Sequence, residues 1–309
     1  MSLIIYNFEF EPIFEEKKVK RSNWDIYYNK TGTFEAHLPL TSELVGITSE
    51  NRYLVAAENG KKAIITGREI GDGLTLYGRT PDWLLGKRIA PKTELITADA
   101  GVICKELVEN AFSDVLNFET AVPAEIMQIS VERTSLQTVL QAVGDCLIQC
   151  GYGYKLDFDI NNSKWVFTAY AGREIPLLIS EANKNAYDTS ICDDILDLAD
   201  GGYYGDDGYI SGENSGIYRW DALLDSETES EARLRLAENK QKSSISLKLR
   251  NLKFGIDYRL GDILRVQITK GSFRTAERKM ISGVHISNNG RFTEETPILE
   301  DAGGVNNGI

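Results

Sequence analysis

The chain reads as a mainly β protein of the α+β class, in which two β-rich units flank a small inserted α+β domain. Three observations predict this. Short β-prone runs separated by turn residues fill the first ninety positions, two helical periods interrupt strand-like segments between 91 and 175, and β patterning returns after 176 with one short helix. The predicted domains are 1–90, 91–175 and 176–302, with 303–309 (GGVNNGI) as a flexible tail.

In the first unit, runs over Leu3–Glu11, Trp24–Tyr28 and Thr33–Leu38 predict strands, with a turn near Asn29–Gly32. Tyr53–Ala57 and Ala63–Arg68 flank Asn59-Gly60, a pair that tolerates positive φ at both positions and so marks a tight hairpin. Leu74–Tyr77 predicts a further strand, and about six such strands suggest a barrel or a sandwich. Thr80, Pro81 and Asp82 then spell a helix start, with Thr80 as the cap and Trp83, Leu84 and Leu85 as the apolar face of a helix reaching Arg88.

In the insert, Ile103, Leu107 and Ala111 fall on one helical face, which predicts a helix over Ala98–Ala111 capped by Thr97. An extended segment covers Ile126–Val131. Leu136, Val139, Leu140, Val143 and Leu147 predict a second helix that starts near Thr134 or Ser135 and is stopped by Gly151. Strands over Tyr154–Ile160 and Lys164–Tyr170 close the insert.

The third unit opens on a stretch rich in Asp, Gly and Tyr, Cys192–Gly216. Acidic residues leading into basic ones over Ser226–Lys242 predict a helix aligned with its own dipole. Ser243–Leu249 alternates strictly, with Ile245, Leu247 and Leu249 on one face, as a half-buried strand does. Asp262–Thr269 and Lys279–Ile286 predict further strands.

Charge and chemistry exclude more than they select. The 309 residues carry 34 basic and 46 acidic side chains, a net charge of -12, and such a surface repels phosphate backbones, so stable nucleic-acid binding is not expected. The run Lys17, Lys18, Lys20, Arg21 is read as a solvated edge. No apolar run approaches the length of a bilayer span, and MSLIIYNFEF lacks both the basic region and the cleavage site of a secretory signal. Cys104, Cys146, Cys150 and Cys192 form no CxxC pair; Cys146 and Cys150 share a helical face and are read as buried apolar residues.

His37 and His285 lack neighbouring ligands in sequence, and Asp193 and Asp194, being consecutive, point to opposite faces of a strand. Asp206, Asp207 and Glu213 do not follow the order of an EF-hand loop. No catalytic, cofactor-binding or metal-ligating residue is therefore assigned and no cofactor is expected, although a glycosidase acid pair from separate strands would leave no local motif. Tyr203, Tyr204 and Tyr209 leave open a carbohydrate- or receptor-binding role.

The order of elements resembles the tail (baseplate) hub proteins of bacteriophages and related injection machines. The resemblance rests on the hairpin YLVAAENGKKAIITGREI, on the segment with Gly78, Arg79, Thr80, Leu84, Leu85 and Arg88, and on the closing series ARLRLAENK, SISLKL and YRLGDILRV with its Leu260-Gly261-Asp262 turn. It implies two antiparallel tail-tube-like β-barrel domains around the inserted α+β domain. It further implies a non-enzymatic virion component, assembled in the bacterial host cytoplasm as a homotrimer. Its partners would be a tail tube or distal tail protein above and a spike or tip protein below, so that a sixfold tube is adapted to a threefold tip. An acidic lumen would let DNA slide.

Overall fold

The structure, a computed structural model, describes residues 2–50, 54–194, 198–212, 220–239 and 242–302. The expected tail at 303–309 and Tyr53 lie outside the described residues, as do Glu213 and the side chains of Asp193 and Asp194. The chain is mainly β with four α-helices among the described residues: α1 Ser42–Glu50, α2 Ala100–Ala111, α3 Val139–Ile148 and α4 Glu229–Glu238. Contacts divide it into two units, Met1–Thr189 with Leu247–Ile309, and Ser190–Ser246.

The larger unit is built on one eleven-stranded sheet. Its order is Glu174–Ser180, Ile263–Lys270, Phe273–Asn288, Arg21–Tyr27, Thr33–Leu38, Leu74–Arg79, Lys61–Ile70, Val55–Glu58, Leu3–Tyr6 and Pro12–Glu16, with Thr293–Asp301 on the free side of Phe273–Asn288. The 16-residue strand Phe273–Asn288 joins the two halves. Its first half pairs with Ile263–Lys270 and its second half with Arg21–Tyr27, so those two strands follow one another along the same edge. Nothing pairs the two ends of the sheet among the described residues. The two closed barrels implied by the resemblance are therefore not formed by strand pairing here.

The hairpin at Asn59-Gly60 forms as its sequence dictates, with φ of 49° and 75° at the two turn residues and Glu58 opposite Lys61. Thr33–Leu38 alternates buried and half-buried side chains, and Trp24, Phe34, Ala36, Leu38, Leu74 and Leu76 form a core that Val284 and Ile286 complete from the far end of the chain.

Several local expectations are corrected. Thr80 holds the N-cap position, but its hydroxyl makes no cap bond. Pro81–Lys87 is a 3-10 helix, and the Thr80 hydroxyl instead accepts from the Gly32 amide at 2.6 Å and donates to Asp82 at 2.8 Å. Helix α2 is capped by Asp99 rather than Thr97, because one Asp99 carboxylate oxygen takes the Gly101 amide and the other the Ile126 amide, both at 2.8 Å. That leaves Thr97 in the strand Thr93–Asp99, where its hydroxyl meets Ser130 at 2.8 Å. Helix α3 starts later than expected, behind a capping box of Thr138 and Gln141, and Leu136 is exposed outside it. Gly151 ends the turn beyond it at φ 71°.

The insert shares its core with the first strands. Phe10 stacks on Phe158 at 5.1 Å and tilts against Trp165 at 5.2 Å, while α2 and α3 cover a three-stranded sheet of Phe118–Ala121, Lys164–Ala171 and Tyr152–Asp159. In the smaller unit, Gly201–Tyr204 pairs with Gly208–Ser211 and Asp221–Leu223, and Ala232 and Leu236 of α4 pack on Ile210 and Leu224. The alternating strand is present as Lys242–Leu249, with Ile245, Leu247 and Leu249 buried and with Ala186–Asp194 as its partner.

Candidate functional site

Tyr28 is where three segments of the larger unit meet. It follows the strand Arg21–Tyr27, its amide donates to the Ser282 carbonyl at 2.9 Å, and its own carbonyl accepts from Tyr154 at 3.1 Å. The phenol oxygen accepts from the Gly172 amide at 3.0 Å and faces the carbonyls of Gly151 and Tyr170 at 3.0 and 3.1 Å. Three glycines make room for it. Gly153 and Gly261 touch the ring where any Cβ would collide, and the Gly261 carbonyl fills the place a Cβ on Gly172 would take. No local motif announces this junction: its partners lie more than a hundred residues away, and Gly153, Gly172 and Gly261 read as ordinary turn residues.

Beside this junction opens a cleft of about 560 Å³. The hairpin residues Lys61 and Lys62, the 3-10 helix at Asp82, the insert strand at Lys155 and Asp157, and Arg259 and Asp262 line it. Burial lowers the pKa of Lys61, opposed by Glu58 and Glu295. Burial also pushes Asp82 up to about 6, with the Thr80 hydrogen bond pulling the other way. Lys62 is tied to the Phe158 carbonyl and to Asp157 at 3.1 Å, and Arg173 to Asp262 at 3.1 Å. Most of the charge is thus spent on internal pairing, and the Thr80 hydroxyl that donates to Asp82 also accepts from the Gly32 amide.

The residues considered from sequence do not converge. His37 pairs with Glu35 at 2.5 Å and Thr75 at 3.2 Å; His285 pairs with Asp25 at 2.6 Å. Among the described residues no group of three His, Cys, Asp or Glu side chains is arranged to hold a metal ion. Asp206 and Asp207 occupy the exposed turn between Gly201–Tyr204 and Gly208–Ser211. Tyr203 and Tyr209 are exposed across the same hairpin, their rings 4.9 Å apart, and Tyr204 is partly buried in the small core below. Lys17, Lys18, Lys20 and Arg21 are exposed around buried Val19, as a solvated edge requires.

A surface feature the sequence reading missed lies on the insert. Ile89–Ala90 pairs antiparallel with Gln137–Thr138 and Thr93–Asp99 with Gln128–Arg133, two short ladders that follow one another along a ribbon. Ile89, Leu95 and Leu136 on it are each about two-thirds exposed (60%, 66% and 66%), and Ile96 and Met127 are exposed beside them. Single exposed apolar side chains are ordinary, and Leu95 and Ile96, consecutive in one strand, point to opposite faces of the ribbon.

No family profile matches the chain, and no curated protein matches it. Solved structures do. A tail protein from Neisseria meningitidis superposes with a TM-score of 0.63 at 13% identity, covering 98% of this chain and 97% of that one. The 43 kDa tail protein of prophage MuSo2 from Shewanella oneidensis gives 0.61 at 8% identity over 97% and 98% of the two chains. Prophage tail protein gp18 from Listeria monocytogenes gives 0.56 at 15% identity over 96% and 94%. Over nearly its whole length, therefore, the chain has the fold of phage and prophage tail proteins.

Proposed function

We propose that the chain is a structural, non-enzymatic subunit of a phage or phage-like tail: a hub at the tail tip or baseplate that closes into a homotrimeric ring. The end-to-end agreement in fold with tail proteins of three different bacteria carries this reading. In it, the two halves of the large sheet joined by Phe273–Asn288 are the two tail-tube-like β domains of 1–90 and 176–302, and 91–175 is the insert. Three copies then present six such domains to a sixfold tail tube or distal tail protein and a threefold face to a spike or tip protein. The reading places the protein in the virion after assembly in the host cytoplasm.

The exposed apolar ribbon supports assembly, since a ring closed by heterologous contacts needs such a surface on every copy. Light scattering on the purified chain, alone and mixed with tube and spike proteins, tests the reading. A trimer, or a monomer driven to a trimer by either partner, is the expected result; a monomer under all three conditions overturns it. One observation favours a second reading as a carbohydrate- or receptor-binding module, the exposed Tyr203 and Tyr209 pair, since stacked aromatics suit sugar faces. Binding on a glycan array that is lost in Tyr203→Ala would favour it.

A further inference from the structure

A second cleft, of about 800 Å³, adjoins the one beside Tyr28, and Lys61 and Phe254 stand in both. Its lining draws on the loop between the strands Lys242–Leu249 and Ile263–Lys270. Glu295 pins that loop. One of its carboxylate oxygens accepts from the Phe254 amide at 2.7 Å and from the hydroxyl of fully buried Tyr258 at 2.8 Å. The Lys253 amide donates to Asp257 and the Arg259 amide to Asp262, both at 2.8 Å, so the backbone that carries the loop's basic residues is held at several points.

Every carboxylate lining the two clefts is already engaged. Glu295 holds the loop, Asp82 takes the Thr80 hydroxyl, Asp157 pairs with Lys62, and Asp262 pairs with Arg173. Four cations are left over. Among the described residues Lys61, Arg250, Lys253 and Arg259 make no ion pair, and Lys61 feels the charges of Glu58 and Glu295 without pairing with either. Arg250 lies over the Tyr187 ring at 5.1 Å and Lys61 over Trp24 at 5.7 Å, contacts that orient the side chains and leave their charge unneutralised. In a chain of net charge -12, the uncompensated charge along these clefts is therefore positive.

We propose that the two adjoining clefts are a binding site for a short acidic peptide segment of a partner protein, with its carboxylates on Arg250, Lys253, Lys61 and Arg259. Lysine and arginine only donate hydrogen bonds, and a guanidinium takes a carboxylate in a matched pair of bonds. A sugar would need acceptors for its hydroxyls, and the Glu295 oxygen that holds the loop already takes two donors. Exposed Asn59 and Asn251 offer amides to a peptide main chain, and exposed Ile256 offers an apolar contact between the acids. An extended segment turns every second side chain to one face, so acids at alternate positions suit the site. A long polyanion would run out of the clefts onto an acidic surface, whereas a short segment keeps its charges within a Debye length of the four cations. The site needs one copy of the chain and does not depend on the trimer.

The test follows the fluorescence anisotropy of a fluorescein-labelled hexaglutamate peptide as the full chain is added. Saturable binding is expected in about 50 mM salt, weakening at about 200 mM. Arg250→Glu with Lys253→Glu should weaken it at least about tenfold, because both charges of the matched pairs are reversed. Lys17→Glu with Lys18→Glu makes the same change in net charge on the solvated edge and should leave binding within about twofold. Arg250→Gln with Lys253→Gln, expected to give an intermediate loss, keeps the test readable if charge reversal disturbs the loop, and thermal unfolding of each variant reports on that. No saturable binding up to about 1 mM protein overturns the proposal. So do equal losses in the two Glu variants, or a DNA oligonucleotide of equal charge that binds more tightly than the peptide and is equally sensitive to Arg250 and Lys253.

Discussion

Tyr28 and Gly261 fit each other as ring and notch: a Cβ at Gly261 would lie 2.4 Å from the Tyr28 ring, and the Gly261 backbone holds φ at +81°. Gly261→Ala therefore meets two penalties at once, a left-handed conformation that L-residues resist and a collision with a ring already held by hydrogen bonds on its hydroxyl. The expected loss of stability is on the order of 3 kcal/mol. Tyr28→Phe keeps the ring and removes only the hydroxyl that accepts from Gly172, for about 1–3 kcal/mol. Urea unfolding of both variants checks the order: a Gly261→Ala protein as stable as wild type would mean the junction is loose.

Asp82 predicts a pH dependence. Its folded pKa of about 6 stands above the 3.8 of an unperturbed Asp, so the native state holds its proton more tightly than the unfolded chain does. The contribution to stability is then largest below pH 3.8 and is lost as pH rises through about 6, a fall on the order of 3 kcal/mol. Asp82→Asn keeps a neutral group under the Thr80 hydroxyl and removes this term. Its stability relative to wild type therefore rises between about pH 3.8 and pH 6 and stays level above that. Parallel pH profiles for the two proteins would show that Asp82 is solvated.

What the sequence revealed and what it hid divide along the range of the interactions. The Asn59-Gly60 hairpin, the strand at Thr33–Leu38 and the alternating strand ending at Leu249 depend on residues a few positions apart, and they stand where expected. Thr80 looked like a cap because its neighbours fit one, but the Gly32 amide, 48 residues away, claims its oxygen. Asp99 displaced Thr97 for the same reason, since its second bond is to Ile126. The polar first half of Phe273–Asn288 lacks an apolar alternation and so carries no strand signal, although its pairing with Ile263–Lys270 extends to Phe273. Neither the cleft nor the Tyr28 junction leaves a local motif, because each is assembled from segments that meet only on folding.

The apolar ribbon predicts a separation of fold from assembly. Leu95→Asp with Leu136→Asp places two charges on side chains that are each 66% exposed, so the isolated chain keeps its stability to within about 0.5 kcal/mol. If the ribbon is a contact surface, the same variant loses the trimer, because an unpaired carboxylate buried in an apolar interface costs several kcal/mol. Sedimentation velocity beside thermal unfolding reads both quantities. A variant that still assembles like wild type moves the contact surface elsewhere on the chain.

The last prediction concerns Glu58, which is buried to 1% exposure at the end of its strand and collects two donors on one oxygen, the Ser22 hydroxyl and the Trp24 indole N–H, both at 2.7 Å. Its other oxygen is buried and without a partner among the described residues. Glu58→Ala leaves both donors stranded in the core beneath the hairpin, and an unsatisfied buried donor costs about 1–3 kcal/mol, so a loss of roughly 2–5 kcal/mol is expected for the pair. Trp24→Phe removes one donor together with its demand. In a double-mutant cycle the two changes should therefore cost less together than apart, by about 1–2 kcal/mol. Strict additivity would mean that the Trp24 bond contributes nothing, and that Glu58 is retained for Ser22 alone.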